Sequence, residues 1–346
     1  MPPRSTTPTH ENGRTMTNPR RRLVAPAVLL VAGLALTGCG LSPATSYVPA
    51  VGPGTIRPIP GLKNASLTVT SKNFTEQLIL GKIAVLAAQA AGFSVTDLSN
   101  LPGSQPAREL LALGQADFMW EYTGTAWLTY LAQSEGIPDQ AAQWKAVHDA
   151  DLANGLTWGS PAPMNNTYAL AIRSEAAAKL GGISTMSQIA ALPAAERTFC
   201  VEAEFNSRSD GFNPMLKTYG LERGTAAGVP DANVGIYDGG AVYSATDKGD
   251  CNFGEVFTTD GRIDSLGLTV LTDDRAFFPA YNVAPVYFTD TLTKHPELAD
   301  VFDQITPALT DKVLRALNRK VDVDGEEPAD VAFAWMKARG FITDPD

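Results

Sequence analysis

"SLTVTSKNFTEQLILGKIAVLAAQAAGF" (Ser66–Phe93) decides the fold. Its first part alternates valine and threonine in the manner of a strand. From Thr75 onward Ile79, Ile83, Leu86 and Ala90 recur at helical spacing, and Gly92 is placed to end the helix. Asn73 or Thr75 can cap the start, with Glu76 available for the reciprocal bond if Asn73 is the cap. Moving outward, "FSVTDLSNL" reads as a strand and "GSQPARELLALGQ" as a helix. That helix has Ser104 as cap, Pro106 in its first turn and Gly114 past its end. "ADFMWEY" is the next strand. This βαβαβ order predicts an α/β protein with a parallel sheet. Ligands of such sheets sit beyond the carboxyl ends of the strands, where "SKNFTEQ" and "WEYTGT" both fall.

The chain before this domain reads as a targeting segment. Met16 begins a second start, Arg20, Arg21 and Arg22 form a positive region, and Leu23 to Leu36 is an apolar run of 14 residues. A membrane-spanning helix needs roughly 20 residues, so the run fits a secretory signal. "LTGC" (Leu36–Cys39) follows and reads as a lipobox, with residues 1–38 removed and Cys39 lipidated. Residues 1–15 read as upstream of the true start. Residues 39–63 carry Pro43, Pro49, Pro53, Pro58 and Pro60 and almost no charge, the composition of a semi-extended tether. The expected location is the extracytoplasmic face of the cell membrane, held by lipid.

The full chain has a formal charge of −10; residues 1–38 hold five arginines and one glutamate, so their loss takes it to −14. So acidic a chain has no footprint for nucleic acid. Cys200 and Cys251 remain after Cys39. Outside the cytoplasm two such thiols are expected to form a disulfide, the alternative being two buried free thiols. Both lie in strand-like stretches. No CxxC, GxSxG, P-loop or HExxH pattern is present, and His148 and His295 stand near no serine or cysteine elbow. "VDVDGEEPAD" lacks the terminal glutamate of a calcium loop, since position 333 is Phe; it reads as an acidic turn capping the last helix. The expectation is therefore a non-enzyme with no metal and no cofactor.

Six stretches in order carry a resemblance. They are "SKNFTEQLILGKI", "NLPGSQPARELLALGQADFMWEYTGTAW", "NNTYALAIR", "EFNSRSDGFNPMLKTYGL", "TTDGRIDSLGLTVLTDDRAFFPAY" and "NRKVDVDGEEPADVAFAWMKARGFI". Together, from about Thr68 to Ile342, they resemble the ProX/OpuC type of substrate-binding protein serving ABC importers for glycine betaine, carnitine and choline. The resemblance implies a type II periplasmic-binding-protein fold: two α/β lobes joined by two crossing strands, with the ligand cleft between them. Lobe I would hold residues 64–165 and 284–346 and lobe II residues 166–283, with "TYALAIR" and "APVYF" as the crossing strands. It implies a small quaternary amine or zwitterion as ligand, an ABC permease as partner, and a monomer.

Carried over residue by residue, the resemblance makes Tyr122, Tyr168, Phe257 and Tyr281 walls of an aromatic cage, with Asn166 touching the ligand through its backbone. Lys72, Thr125 and Arg208 would hold a carboxylate. The position of Phe257 is usually tyrosine in this family, so here the ring is kept and the phenol oxygen lost. These types suit the chemistry. A trimethylammonium donates no ordinary hydrogen bond and is best held by ring faces, at up to ~2 kcal/mol per desolvated contact. A carboxylate is met by an arginine fork, a lysine charge and a directed hydroxyl. Trp120 and Trp127 read as packing residues. An alternative stays open: the same fold holding an aromatic or polyhydroxylated molecule, or serving as a sensor or scavenger lipoprotein.

Overall fold

The computed structural model describes residues 47–62, 65–137 and 139–345. The signal segment, the lipobox and Cys39 lie outside the described residues. The strands of the first half are β1 (Gly52–Pro53), β2 (Ser66–Lys72), β3 (Ser94–Leu101), β4 (Phe118–Tyr122), β5 (Leu156–Trp158) and β6 (Tyr168–Arg173). Those of the second half are β7 (Phe199–Glu202), β8 (Val234–Tyr237), β9 (Phe253–Phe257), β10 (Leu268–Val270), β11 (Val283–Phe288) and β12 (Ile342–Thr343). They make two five-stranded sheets, in the orders β3-β2-β4-β11-β5 and β10-β6-β9-β7-β8. Helices pack on these sheets, giving the expected two-lobed α/β architecture.

The βαβαβ reading is realised: β2 runs parallel to both β3 and β4. The helix after β2, α1 (Thr75–Ala90), is buried on nearly every side because sheet strands and the C-terminal helices Asp311–Asp322 and Pro328–Ala338 enclose it. It ends at Ala91, and Gly92 takes the left-handed φ of 98° that follows a helix terminus. The expected cap is not made. Phe74 occupies the N-cap position with no side-chain cap bond. Asn73 Oδ1 accepts instead from the Gly103 amide (3.2 Å), and the Thr75 hydroxyl donates to Asp322 (2.6 Å). The next helix, α2 (Ser104–Ala112), likewise has Gly103 rather than Ser104 at its N-cap. In both cases the polar side chain is drawn away by a partner remote in sequence.

The chain passes from the first sheet to the second between Trp158 and Tyr168, and returns between Val270 and Val283. The two segments read as crossing strands begin where these crossings end: β6 belongs wholly to the second sheet and β11 to the first. β11 lies antiparallel between β4 and β5, so the chain re-enters the first sheet after its second crossing.

Cys200, on β7, and Cys251, just ahead of β9, form a disulfide with a Cα–Cα separation of 5.8 Å. Closing a loop across 51 residues restricts the unfolded chain by about 4 kcal/mol in the chain-entropy account. Trp120 packs edge-on against Phe118 and Phe302 inside the first lobe, as a core residue. Trp127 is partly buried and donates to the Glu135 carbonyl (2.8 Å).

The tether reading needs correction for the described residues before β2. β1 pairs antiparallel with β12, and Ile56 is completely buried. The Thr55 and Ile56 amides donate to Gly340 and Phe341, and the Ile59 amide to Ala91. Prolines limit what this segment donates, but three apolar or extended positions suffice to dock it. The acidic turn before the last helix also differs from expectation. Glu327 stands at the N-cap but makes no side-chain cap bond, and Glu326 pairs with Lys320 instead. No helix among the described residues is long and apolar enough to cross a membrane.

Candidate functional site

The carboxyl ends of β2 and β4 open toward the second sheet. The β2–β3 register slips between Thr70 and Lys72, and such a bulge re-aims the side chains at a strand end. Lys72 thereby lies buried against Glu121 of β4 (Nζ–Oε1 2.5 Å) and over the Tyr122 ring, 5.0 Å from its centroid. After β4 the chain turns at once into helix, Thr123–Thr125, continued as a π-helical segment Ala126–Tyr130. This places Thr125 at the cleft.

From the second sheet, β6 and β9 present Tyr168 and Phe257 as register neighbours. Tyr168 packs at a tilt against Phe257 (5.1 Å between centroids) and meets Tyr281 edge-on at 5.7 Å. Phe74 bridges the lobes, 5.2 Å from Phe257 and 6.0 Å from Tyr122. The rings thus form a continuous series, Tyr122–Phe74–Phe257–Tyr168–Tyr281. Arg208 lies over Tyr168, 5.5 Å from its centroid. Its guanidinium forks onto Asp210 (2.7 and 2.5 Å), reaches Glu204 at 3.2 Å and donates to the Thr125 hydroxyl at 3.4 Å. Asp210 also accepts from the Tyr281 hydroxyl (2.6 Å).

Lys72, Tyr122, Thr125, Asn166, Tyr168, Arg208, Phe257 and Tyr281 all line one cavity between the sheets. That cavity measures about 30 Å³, the room of roughly one water, so the lobes are closed on each other. Bonds across the cleft hold them there: the Ser104 hydroxyl to Glu204 (2.5 Å), Arg208 to Thr125, and Arg315 to the Thr258 carbonyl (2.7 Å). A second cavity of about 330 Å³ adjoins, sharing Phe74, Phe257, Asn166 and Glu202 as a common wall.

Sequence reasoning missed several residues here, among them Phe74, Glu202 and Glu76. Phe74 belongs to the ring series. Glu202 borders both cavities. Glu76 was assigned to helix capping, but it is a fully buried carboxylate that accepts four hydrogen bonds. Tyr122 (2.8 Å) and Asn166 (2.8 Å) donate to one oxygen, Thr259 (2.5 Å) and Asn318 (3.1 Å) to the other. Burial raises its pKa, and these four donors pull against that rise. Burial, then the charge of Glu76, holds the Tyr122 phenol well above its usual range, so it remains a neutral donor. The signal that pointed to Glu76 was its position, immediately beyond a strand's carboxyl end.

Glu204 and Glu255 differ in their surroundings. Burial would raise Glu204, but Lys72, Ser104 and Arg208 outweigh it and hold the carboxyl below its ordinary value. Glu255 is pushed far up by burial and then by Glu202. The arrangement offers π-faces beside two cations that already carry carboxylate partners.

Two α/β lobes closed over an aromatic cleft define a solute-binding protein of the two-lobed periplasmic class. Residues 65–338 match the family described as the substrate binding domain of ABC-type glycine betaine transport systems, and the chain belongs to it. A glycine-betaine-binding protein of Pseudomonas aeruginosa is 38% identical over 293 residues, covering 82% of this chain and 91% of its own. The ergothioneine transport permease/ergothioneine binding protein EgtU of Helicobacter pylori is 29% identical over 280 residues, which are 81% of this chain and 48% of that one. Among solved structures, one described as a glycine betaine/carnitine/choline ABC transporter superposes with a TM-score of 0.64 at 26% identity. It covers 80% of this chain and 99% of that one.

Proposed function

We propose that the cleft captures a small glycine betaine-like quaternary amine and hands it to an ABC permease. The observation that carries this reading is the ring series set against Arg208 and Lys72 in one closed cavity. In this reading Tyr122, Tyr168, Phe257 and Tyr281 hold the trimethylammonium on their faces, with Phe74 added to the cage. Asn166 positions the guest, and Lys72, Thr125 and Arg208 receive its carboxylate. The lobes divide at 64–165 with 284–346, and 166–283, as the strand membership of the two sheets supports. The permease reads their closure. The protein acts as a lipid-anchored monomer through Cys39, outside the cytoplasm, and turns nothing over.

Calorimetry with glycine betaine, choline, carnitine, ectoine and planar phenolics tests this. One-to-one binding of quaternary amines is expected, and Tyr168→Ala should weaken it about 30-fold, the worth of one desolvated cation–π contact of ~2 kcal/mol. Absence of binding by every quaternary amine would refute the reading. The adjoining 330 Å³ cavity favours a second one, a quaternary amine bearing a ring that reaches past Phe74 and Phe257. The ergothioneine-binding relative is consistent with such a guest.

A further inference from the structure

Among the described residues, the charged groups that line the aromatic cavity are each met by a partner, with one exception. Lys72 is met by Glu121, Arg208 by Asp210, and Glu204 by Ser104 and Arg208. Glu202, at the end of β7, borders the aromatic cavity and the larger cavity beside it. Its backbone N–H donates to Glu255 (2.7 Å), but among the described residues its own carboxylate accepts no hydrogen bond and forms no ion pair.

The groups facing it are mostly of its own sign. Glu204 comes from the helical turn that follows, Asp238 from the start of the helix Gly239–Lys248, and Glu255 from β9. Arg208 acts against them, and Lys72 lines the same cavity. Two cations, Lys72 and Arg208, therefore stand against four carboxylates: Glu121, Asp210, Glu204 and Glu202. A guest carboxylate must share cations that are already engaged, and it must do so beside an unpaired negative charge.

We propose that Glu202 sets the charge preference of the cleft: ionised, it favours a quaternary amine without a carboxylate, and neutral, it admits a carboxylate-bearing zwitterion. The proposal rests on the reading of the cleft as a quaternary-amine site. Burial, then Glu204 and Asp238, raise the Glu202 pKa to about 7, so both forms are populated under ordinary conditions. A zwitterion binding above that value takes up a proton at Glu202. A cation binding below it releases one. Zwitterion affinity should thus rise as pH falls through about 7, while cation affinity should fall.

The test is calorimetry on the full chain with glycine betaine and choline at pH 6 and 8.5, in buffers of different ionisation heat. In the unmodified protein the betaine-to-choline affinity ratio should drop about tenfold or more between pH 6 and 8.5, as removal of one nearby charge predicts. Glu202→Gln should hold the ratio constant across that range, and Glu202→Asp should keep the dependence, which separates loss of charge from loss of fold. A ratio that ignores pH in the unmodified protein, or that moves equally in Glu202→Gln, overturns the role of Glu202 while leaving the cleft reading intact. Binding of neither ligand overturns both.

Discussion

Position 124 has no room for a side chain. A Cβ added at Gly124 would stand 2.5 Å from the Tyr281 ring and 2.9 Å from the Ala280 carbonyl. The ring can lie against the helical turn after β4 only because that turn carries glycine there. Gly124→Ala should displace Tyr281 and weaken quaternary-amine binding about tenfold, at a stability cost of about 1–2 kcal/mol as for other overpacked sites. Calorimetry and urea unfolding measure the two effects separately; unchanged binding would show that the ring position does not matter. The eight residues picked from sequence could be gathered because they sit in or directly beside recognisable stretches. Phe74 escaped because it adjoins Lys72 at a helix start, where no periodicity distinguishes a cleft residue from a core one. Glu202 escaped because a lone carboxylate at a strand end has no sequence mark of being unpaired.

At the scale of elements, α1 does more than cover a sheet. Its first turn carries Glu76 into the cleft, where the carboxylate joins β4, the crossing at Asn166, the loop after β9 and the helix Asp311–Asp322. The strand–helix order and the parallel pairing around α1 were legible in the alternation and spacing of residues 66–122. The capping of α1 was not. Whether Glu76 turns back to its own helix or forward to Thr259 and Asn318 is decided by partners 183 and 242 residues away. Glu76→Gln keeps the shape but points an amide donor at existing donors. It should cost about 2–3 kcal/mol, the penalty for buried donors left unpaired, and should loosen Tyr122. Urea unfolding reports the first effect and ligand affinity the second; a variant as stable as the parent would reduce Glu76 to a spectator.

For the whole molecule, closure is the functional coordinate. With about 30 Å³ between the rings, a guest enters only when the lobes part. The bonds from Ser104 to Glu204 and from Glu76 to Thr259 exist only in the closed arrangement, since each spans the two sheets. Ser104→Ala with Thr259→Val removes about 1 kcal/mol at each contact. That should shift the free protein toward the open form and weaken ligand affinity three- to tenfold or more. Small-angle scattering should record a larger radius of gyration without ligand and the parent value with it. A double variant as compact as the parent without ligand would mean that other contacts keep the lobes shut.

The pairing of β1 with β12 brings the beginning of the folded chain beside its end. Topologically the domain is thus nearly a ring, and the point at which it is cut is incidental to its architecture. A short glycine bridge from Asp344 to Val51, with new ends introduced at the exposed Gly181–Gly182 turn, would leave both sheets and every cleft residue in place. Such a circular permutant could be fused to a fluorescent reporter away from the crossings, turning hinge motion into an optical readout.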